Sequence, residues 1–500
     1  MSSASPRATF RDPAGALSFE GELAVRTIAP SSRADVLDFL QSPLCQAMQQ
    51  RGDLISAEID DSGPQLILRH PKVPIPSYPW EWAPSQWLAA AELTLNLCDQ
   101  AIVAGWILKD ATPLNVLFIG PRPIFVDILS FERRKLDRRK SDRDPERRAT
   151  VGRDPSSSLW LAYAQYVRTF LLPLLMNRLL HWPLSHSLFR RDGLEPAECF
   201  RALPWRHRLS RAALWPITLP TLFERHKSAH LLSNSAAPSK ESRRHDPELA
   251  THILRRTMRN LRRRTLRAAP RVASSDWSDY PHTLTHYTPE QSRQKLDWVR
   301  RILESTQPAR VLDIGANTGE FSSLAASLGA DVVALERDQA AADHLFRMAR
   351  QRNLPIQTIH TDLARPTPAV GWRNAESLAL LPRLDAQFNL VLMLAVIHHI
   401  LLMEQIPLPE ILALCHRLTR SHLIVEWVPV ADPMFQSLLR GRDALYGSLS
   451  EASLLAACAN RFRLLDRQPL DNGRVLLCFE KTLSEKSGPP TTTPNMIDGC

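Results

Sequence analysis

The chain has 500 residues, 44% of them hydrophobic, and carries a formal net charge of +10. This length predicts about three domain-sized units, and the hydrophobic fraction excludes a chain that is disordered or fibrous throughout. Seven scattered cysteines form no Cys-x-x-Cys pair, which argues against a zinc site and predicts a reducing, cytoplasmic setting. The N-terminus lacks the apolar core of a secretory signal, and charged residues interrupt the most apolar stretch, 160–180, so we predict no transmembrane segment.

Residues 9–232 are predicted to form an α+β domain. Short apolar runs separated by Gly and Asp turns come first and are typical of strands, and a helix is predicted over 85–104 after a proline-rich segment. A basic linker rich in Ser, Pro and Arg is predicted at 233–275. The polar tail, 482–500, is predicted to be disordered.

Two arginine-rich blocks, 132–148 and 253–271, carry much of the positive charge. Such runs can bind nucleic acid or an anionic membrane, and a solvated helix or linker is the alternative. No aromatic residue lies among these arginines, so the stacking surface of a single-strand binder is missing. Nucleic acid is therefore a possible partner but not the favoured one.

Residues 276–481 alternate apolar strands with helices, which predicts a parallel, doubly wound α/β sheet. Only Asp-Asn-Gly at 471–473 and its neighbours separate the last two strands, and Asn-Gly there indicates an antiparallel hairpin. A seven-stranded sheet that ends in a hairpin is not the usual dinucleotide-binding arrangement. The strands are predicted at 310–314, 331–336, 356–361, 388–394, 422–427, 462–469 and 475–480.

A glycine loop, Asp-Ile-Gly-Ala-Asn-Thr-Gly, follows the first of these strands at 313–319. It lacks the Gly-x-Gly-x-x-Gly spacing of nicotinamide and flavin sites. Gly315 can turn the chain sharply, and Gly319 lets the next helix begin close to a ligand. Glu336, which ends the second strand, can accept hydrogen bonds from both hydroxyls of a ribose, and Asp362, after the third strand, can accept one from an adenine amine.

The segments VLDIGANTGEFS, VVALERD, HTDL and FNLVLMLAVIHHI occur in this order, and together they resemble a class I S-adenosylmethionine-dependent methyltransferase over 276–481. The resemblance implies S-adenosylmethionine as the cofactor, with Glu336 at its ribose. Similarity to bacterial nodulation host-specificity methyltransferases in this region implies a saccharide or lipid-linked acceptor. The cofactor-binding residues implied by the family are Asp313, Gly315, Asn317, Gly319, Glu336, Asp362 and Leu363.

The segment before the first strand resembles the lid helix of such enzymes. By that resemblance Tyr287 and Lys295 could reach the cofactor carboxylate, and ordinary lid packing is the alternative. The fourth strand leads to His398 and His399, either of which could take a proton from an accepting hydroxyl or amine, although one of them could simply be packed under the loop. Asn389 stands early in this strand where many family members carry an acid.

Polar residues after the fifth strand are candidates for acceptor recognition, with loop ion pairs as the alternative: Asp432, Arg440, Arg442, Asp443 and Tyr446.

The spacing of Asp110, Asn115 and Asp127 resembles the catalytic loop and metal-binding Asp of a protein-kinase-like fold. The resemblance implies Asp110 as a base, and Asn115 and Asp127 as ligands of magnesium bound with ATP. Lys109 and Leu108 stand where that pattern has Arg and His, and no glycine-rich phosphate loop is visible. The alternative is a helix followed by a turn and a hairpin, in which Asp110 and Asn115 are turn residues.

The sequence thus predicts a methyltransferase that uses S-adenosylmethionine and acts on an unidentified acceptor, with a small molecule or saccharide favoured. Two alternatives stay open. One is a bifunctional enzyme with a kinase-like domain, and the other is an RNA-binding methyltransferase.

Overall fold

The computed structural model describes residues 11–134, 159–224, 247–270 and 287–482. Residues 135–148 of the first arginine block, residues 233–246 and 271–275 of the predicted linker and residues 483–500 of the predicted tail lie outside the described residues. The chain divides into two compact units. The first holds the described residues up to 270 with 317–319 and 335–383, and the second holds 287–316, 320–334 and 384–482.

The N-terminal part begins with a small antiparallel sheet. Its strands are β1 Gly15–Glu20, β2 Leu23–Ile28, β3 Glu58–Asp60 and β4 Ile67–Pro71. They are ordered β1-β2-β4-β3 across the sheet. Two short antiparallel ribbons follow, made from β5 Trp106–Leu108 with β8 Phe131–Arg133 and from β6 Val116–Ile119 with β7 Arg122–Phe125.

Helices of the described N-terminal part surround and support these strands, and eight of them are named here. The eight are α1 Arg33–Leu40, α2 Pro43–Gln50, α3 Pro84–Val103, α4 Tyr163–Tyr166, α5 Leu172–Leu180, α6 Pro196–Ala202, α7 Trp205–Arg208 and α8 Pro247–Arg267, and residues 219–224 are helical as well. Within the described ranges, none of the helices combines the length and the apolar character that spanning a membrane requires.

The helix predicted over 85–104 is confirmed as α3. It begins with Pro84, whose missing N–H costs nothing in the first turn, and the Gln86 side chain accepts a hydrogen bond from the Ala83 N–H at 2.9 Å. Gly105 ends it with a φ of 81°, a conformation that glycine adopts without strain. Since 13 of its 20 residues are buried, α3 is the central helix of this part of the chain.

Residues 253–267 of the second arginine block lie on α8. Leu254, Met258 and Leu261 form its buried stripe, at the spacing that one helix face requires, and the helix packs on α3. Arg256 and Arg259 are exposed on the opposite side. This segment is therefore a solvated helix, and nucleic-acid binding by it stays a prediction.

The seven strands predicted for the C-terminal part are all present. They are β9 Arg310–Ile314, β10 Asp331–Glu336, β11 Ile356–His360, β12 Phe388–Met393, β13 Thr419–Trp427, β14 Phe462–Pro469 and β15 Val475–Lys481. They form one sheet in the order β11-β10-β9-β12-β13-β15-β14. Strand β12 is parallel to β9 and β13, whereas β15 is antiparallel to β13 and β14. The predicted α/β sheet and its closing hairpin are confirmed, and the kinase-like fold of the N-terminal part stays a prediction.

Helices alternate with these strands, and several begin at a side chain that caps the first turn. They are α9 Pro289–Thr306, α10 Glu320–Ser327, α11 Gln339–Arg352, α12 Leu380–Leu384, α13 Ile397–Met403, α14 Leu408–Leu418, α15 Pro433–Leu439, α16 Asp443–Tyr446 and α17 Glu451–Cys458. Asp338 caps α11 by accepting a hydrogen bond from the Ala341 N–H at 2.8 Å. Asn353 ends the same helix in the left-handed conformation that Asn tolerates.

Strand β11 lies at an edge of the sheet, and the N-terminal part covers it within the first compact unit. The Gln86 amide donates a hydrogen bond to the Thr358 carbonyl at 3.0 Å. The Gln357 amide donates to the Ile75 carbonyl at 2.6 Å. These side-chain amides satisfy backbone groups and bury polar atoms that would otherwise need water.

A buried ion pair lies in the same region. Glu81 and Arg383 are both almost completely buried, and Arg383 Nη1 donates to Glu81 Oε2 at 3.0 Å. The Arg383 guanidinium also lies 4.8 Å from the centre of the Tyr78 ring. Removing one member of such a pair leaves a buried charge without a partner and typically costs about 3–5 kcal/mol.

Candidate functional site

Asp313 is the second-last residue of β9, at the start of the glycine loop, and is buried. The Ser322 hydroxyl, on α10, donates a hydrogen bond to Asp313 Oδ2 at 2.6 Å. Burial raises the pKa of Asp313 to about 6, although the Ser322 hydroxyl and the positive charge of Lys295 oppose this rise. Asp313 therefore joins the loop to the first turn of the helix that follows.

Two glycines of the loop occupy positions that no other residue would fill without strain. Gly315 has a φ of 72°, and a Cβ there would lie 2.5 Å from the Val396 side chain. Gly319 has a φ of 91°, and a Cβ there would lie 2.2 Å from Leu345. Both positions combine a left-handed backbone with close packing, so the structure requires glycine at each.

Glu336 is the buried acid at the carboxyl end of β10. The Asn317 N–H, from the glycine loop, donates to Glu336 Oε2 at 2.7 Å, and the Asp338 N–H donates to Oε1 at 2.7 Å. Burial raises the pKa of Glu336, and the two backbone donors oppose the rise. Because each carboxylate oxygen has two lone pairs, each can accept one more hydrogen bond.

Asn317 itself has an unsatisfied polar atom. Its Oδ1 is buried and has no hydrogen-bond partner among the described residues. Buried acceptors are rarely left without a donor in folded proteins, so this oxygen indicates a missing donor group. A ligand that carries an amine or a hydroxyl would supply one.

Asp362 follows β11 and is half-buried. Its carboxylate pairs with Arg365 at 2.8 Å and lies 3.6 Å from the Arg337 guanidinium, and its Oδ1 accepts from the Ala364 N–H at 3.0 Å. Leu363, the other residue expected at the adenine, is half-buried beside it. The Asp362 carboxylate is thus already engaged by protein donors.

The two predicted lid residues both contact Glu426, at the end of β13. Lys295 Nζ donates to Glu426 Oε2 at 2.6 Å, and the Tyr287 hydroxyl donates to Oε1. Arg474 extends this group, since its Nη1 donates to the Tyr287 oxygen at 2.7 Å and its Nε donates to Asp432 Oδ2 at 2.8 Å. We refer to these five residues as the Glu426 network.

The Glu426 network keeps two carboxylates ionised inside the protein. Burial alone would raise the pKa of Glu426, but Lys295 and Arg474 outweigh burial and hold it below its usual range. Arg474 Nη2 is buried and has no hydrogen-bond partner among the described residues. Sequence reasoning named Tyr287, Lys295 and Asp432 but missed Glu426 and Arg474 as the centre of the group. The signal was available, because each is a charged residue beside or within an apolar strand and must be paired when buried.

His398 lies on α13 and is buried beneath Phe435, with ring centres 6.5 Å apart. Neither ring nitrogen has a hydrogen-bond partner among the described residues. Burial, with smaller contributions from His399 and Arg474, lowers the pKa of His398 well below its ordinary value, so the ring is neutral at pH 7. His399 is half-buried, and the centres of the two imidazole rings lie 4.2 Å apart.

Most of the other candidates for acceptor recognition have structural roles. Asp432 caps α15 by accepting from the Met434 N–H at 2.8 Å, in addition to its bond with Arg474. Arg442 Nε donates to the Leu439 carbonyl at 3.0 Å. Arg440 ends α15 in a left-handed conformation. The Tyr446 hydroxyl contacts the Leu401 carbonyl at 3.4 Å. Asp443 is exposed in the first turn of α16.

The kinase-like spacing brings Asn115 and Asp127 together. The Ser130 hydroxyl donates to Asp127 Oδ2 at 2.5 Å and accepts from Asn115 Nδ2 at 3.1 Å. Arg26 pairs with Asp127 Oδ1 at 3.0 Å. Burial raises the pKa of Asp110. Among the described residues no three His, Cys, Asp or Glu side chains are grouped closely enough to hold a metal ion. Magnesium and ATP binding there stay predictions.

Comparison with known proteins identifies the C-terminal part. A family model described as a methyltransferase domain matches residues 285–420. The nodulation protein NoeA of Rhizobium meliloti (strain 1021) is 27% identical over 503 residues, which cover 95% of each chain.

Two solved structures show weaker similarity. One is the N-methyltransferase NodS from Bradyrhizobium japonicum WM9, with a TM-score of 0.29 at 14% identity over 39% of this chain and 97% of that one. The other is the bifunctional kinase-methyltransferase WbdD, with a TM-score of 0.30 at 18% identity over 42% of each chain. The C-terminal part of the chain contains a methyltransferase domain.

Proposed function

We propose that this chain transfers the methyl group of S-adenosylmethionine to an oxygen, nitrogen or carbon atom of an acceptor, with a small molecule or a saccharide favoured. The observation that carries the proposal is the contact between Glu336 and the glycine loop. One acid at a strand end fixes the Asn317 backbone and keeps two lone pairs for a ligand. A ribose, with two adjacent hydroxyls, has the donors that such a carboxylate accepts.

The residues present fit this cofactor. Glu336 would hold the ribose hydroxyls, and the buried Asn317 Oδ1 would accept a hydrogen bond from a cofactor donor. Gly315 and Gly319 would let the backbone pass close to the amino-acid part of the molecule. Asp362 and Leu363 would flank the adenine. When bound, S-adenosylmethionine supplies a methyl group that its sulfonium charge activates for displacement.

His398 is our candidate for the group that takes the proton lost by the accepting atom. Its imidazole is neutral at pH 7, and both ring nitrogens lack a partner among the described residues. A low pKa suffices for this task, because the accepting hydroxyl or amine becomes acidic as its new bond to carbon forms. Asn389 does not provide an alternative base, since its Oδ1 accepts from the Arg310 N–H at 3.0 Å and has no charge.

The proposed class of acceptor rests on the similarity of the whole chain to the nodulation protein, and not on residues that line an acceptor pocket. The relative that covers 95% of this chain is named as a nodulation protein. A saccharide or a small molecule derived from one is the acceptor class that we propose. The acceptor-binding loops vary among enzymes that share a cofactor site, so this chemistry must be tested with substrates.

The test of the proposed function is the binding of S-adenosylhomocysteine to the full chain, measured by calorimetry. Glu336→Ala removes two charge-assisted acceptors, each worth about 1.5–3 kcal/mol, so we expect the affinity to fall by about a hundredfold or more. Asp331→Ala, at the exposed start of the same strand, is the matched control and should bind like the wild type. Absence of binding by the wild type, or equal affinity in Glu336→Ala, would refute the proposal.

A further inference from the structure

A largely apolar cavity, partly open to solvent, lies in the first compact unit, among residues to which none of the roles above is assigned. Its volume is about 310 Å³, at the lower end of the range found for small-molecule sites. Trp80, Trp87, Met176 and Leu184 line it and are themselves buried, so its walls are set by the core. The half-buried Trp182 completes the aromatic lining. Such a cavity excludes a strongly hydrated ligand and favours an alkyl chain or an apolar ring.

The mouth of this cavity differs from its walls because it carries charges of both signs. Glu376 is nearly buried and pairs with two arginines, accepting from Arg11 Nε at 2.5 Å and from Arg191 Nη1 at 2.9 Å. Arg190 pairs with Glu198 at 2.5 Å, and Asp192 lies near enough to act on Arg11. Arg11, Arg190, Arg191 and Glu376 line the mouth, whereas Glu198 and Asp192 lie beside these arginines without lining the cavity. Together the three acids offset the three arginines.

The loop that carries Glu376 is built to hold it in place. Gly371 has a φ of 94°, and a Cβ there would lie 2.3 Å from the Glu376 carboxylate. Only glycine at this position lets the carboxylate approach the two arginines from the loop. The mouth thus presents fixed donors and acceptors but little net charge, which suits a polar head group without a charge of its own.

We propose that this cavity binds an amphiphile, whose alkyl chain fills the apolar interior and whose uncharged, hydroxylated head group lies against the arginines and carboxylates of the mouth. Hydroxyl groups both donate and accept hydrogen bonds, so they match a mouth that offers guanidinium donors and carboxylate acceptors. The proposal does not depend on methyl transfer. The chain segment that carries Glu376 follows β11 and includes Asp362, the acid predicted to lie at the adenine. A ligand in the cavity would therefore contact the same segment.

The test uses the full chain and octyl β-glucoside below its micelle concentration, with binding followed by tryptophan fluorescence because Trp80, Trp87 and Trp182 line the cavity. We expect saturable binding. Ser187 is half-buried and lines the mouth, whereas Ser185 is exposed, does not line the cavity and lies in the same short 3₁₀ helix, Leu184–Phe189. Ser187→Trp should block the cavity and weaken binding about tenfold or more, and Ser185→Trp should leave it unchanged.

Two charged probes with the same chain test the head-group assignment. Octanoate and octyltrimethylammonium should both bind more weakly than octyl β-glucoside, because the balanced mouth gives neither charge a net attraction. Glucose alone should not bind measurably. Lack of saturable binding, or wild-type affinity in a folded Ser187→Trp variant, would overturn the site, and equal or tighter binding of a charged probe would overturn the head-group assignment.

Discussion

Replacing Asp313 with Asn removes a carboxylate that the fold buries at the end of β9. Burial raises its pKa from the ordinary value of 3.8 to about 6, against the opposing effects of Ser322 and Lys295. The folded chain therefore holds this proton more tightly than the unfolded chain. The free energy of unfolding should fall as the pH rises from 3.8 through 6, and this contribution should be constant at higher pH.

The size of the effect follows from the two pKa values. A rise of about two units corresponds to roughly 3 kcal/mol, of which roughly 1.4 kcal/mol is lost between about pH 5 and about pH 8. Asp313 is only 3% exposed, so solvent screening reduces this free-energy difference little. Asn keeps an oxygen that can accept from the Ser322 hydroxyl but has no charge to bury.

Urea unfolding of the wild type and Asp313→Asn at several pH values measures this difference. The stability of the variant relative to the wild type should increase by roughly 1.4 kcal/mol between about pH 5 and about pH 8. Asp331→Asn, at the exposed start of β10, should show no such trend. A difference that stays flat with pH, or that decreases, would show that Asp313 is not held in the folded protein with a raised pKa.

Two further substitutions address the Glu426 network and the kinase-like motif. Glu426→Gln leaves Lys295 and Arg474 buried without their shared carboxylate, so urea unfolding should show a loss of about 3–5 kcal/mol. Glu480→Gln, near the end of β15 and with a side chain that is 41% exposed, should cost less than about 1 kcal/mol. Similar losses in the two variants would contradict this. If Asp127 holds magnesium with ATP, a thermal shift produced by magnesium and ATP should disappear in Asp127→Ala, and no shift in the wild type would count against the bifunctional alternative.

The glycine loop at 313–319 was readable from the sequence because its constraints are local. Gly315 and Gly319 mark left-handed positions, and Glu336 ends an unbroken apolar strand. Spacing alone placed Gly315 and Glu336 at strand ends and Gly319 at the start of the next helix. The first and last residues of the C-terminal strands could be predicted for the same reason, since a helix or a turn bounds each apolar run. The largest boundary difference is in β13, which begins at Thr419, three residues before the predicted start at 422.

The Glu426 network could not be predicted in this way. Its members come from helix α9 and the residues before it, the end of β13, the cap of α15 and the hairpin before β15, at positions 287, 295, 426, 432 and 474. Spacing along the chain does not indicate which buried cation meets which buried anion, because that choice is made by packing. The ion pair of Arg26 with Asp127 was missed for the same reason, since the two residues are 101 positions apart.

The amides that cover β11 bear on how this protein can be divided. The methyltransferase-domain match starts at residue 285, so a chain cut there loses Gln86 and Glu81 together. Such a fragment would expose the Thr358 carbonyl on an open edge strand and would leave Arg383 without its carboxylate. An uncovered edge strand can pair with the same strand of another copy, so the fragment should aggregate. In the intact chain the N-terminal part therefore shields this edge strand from other copies of the protein.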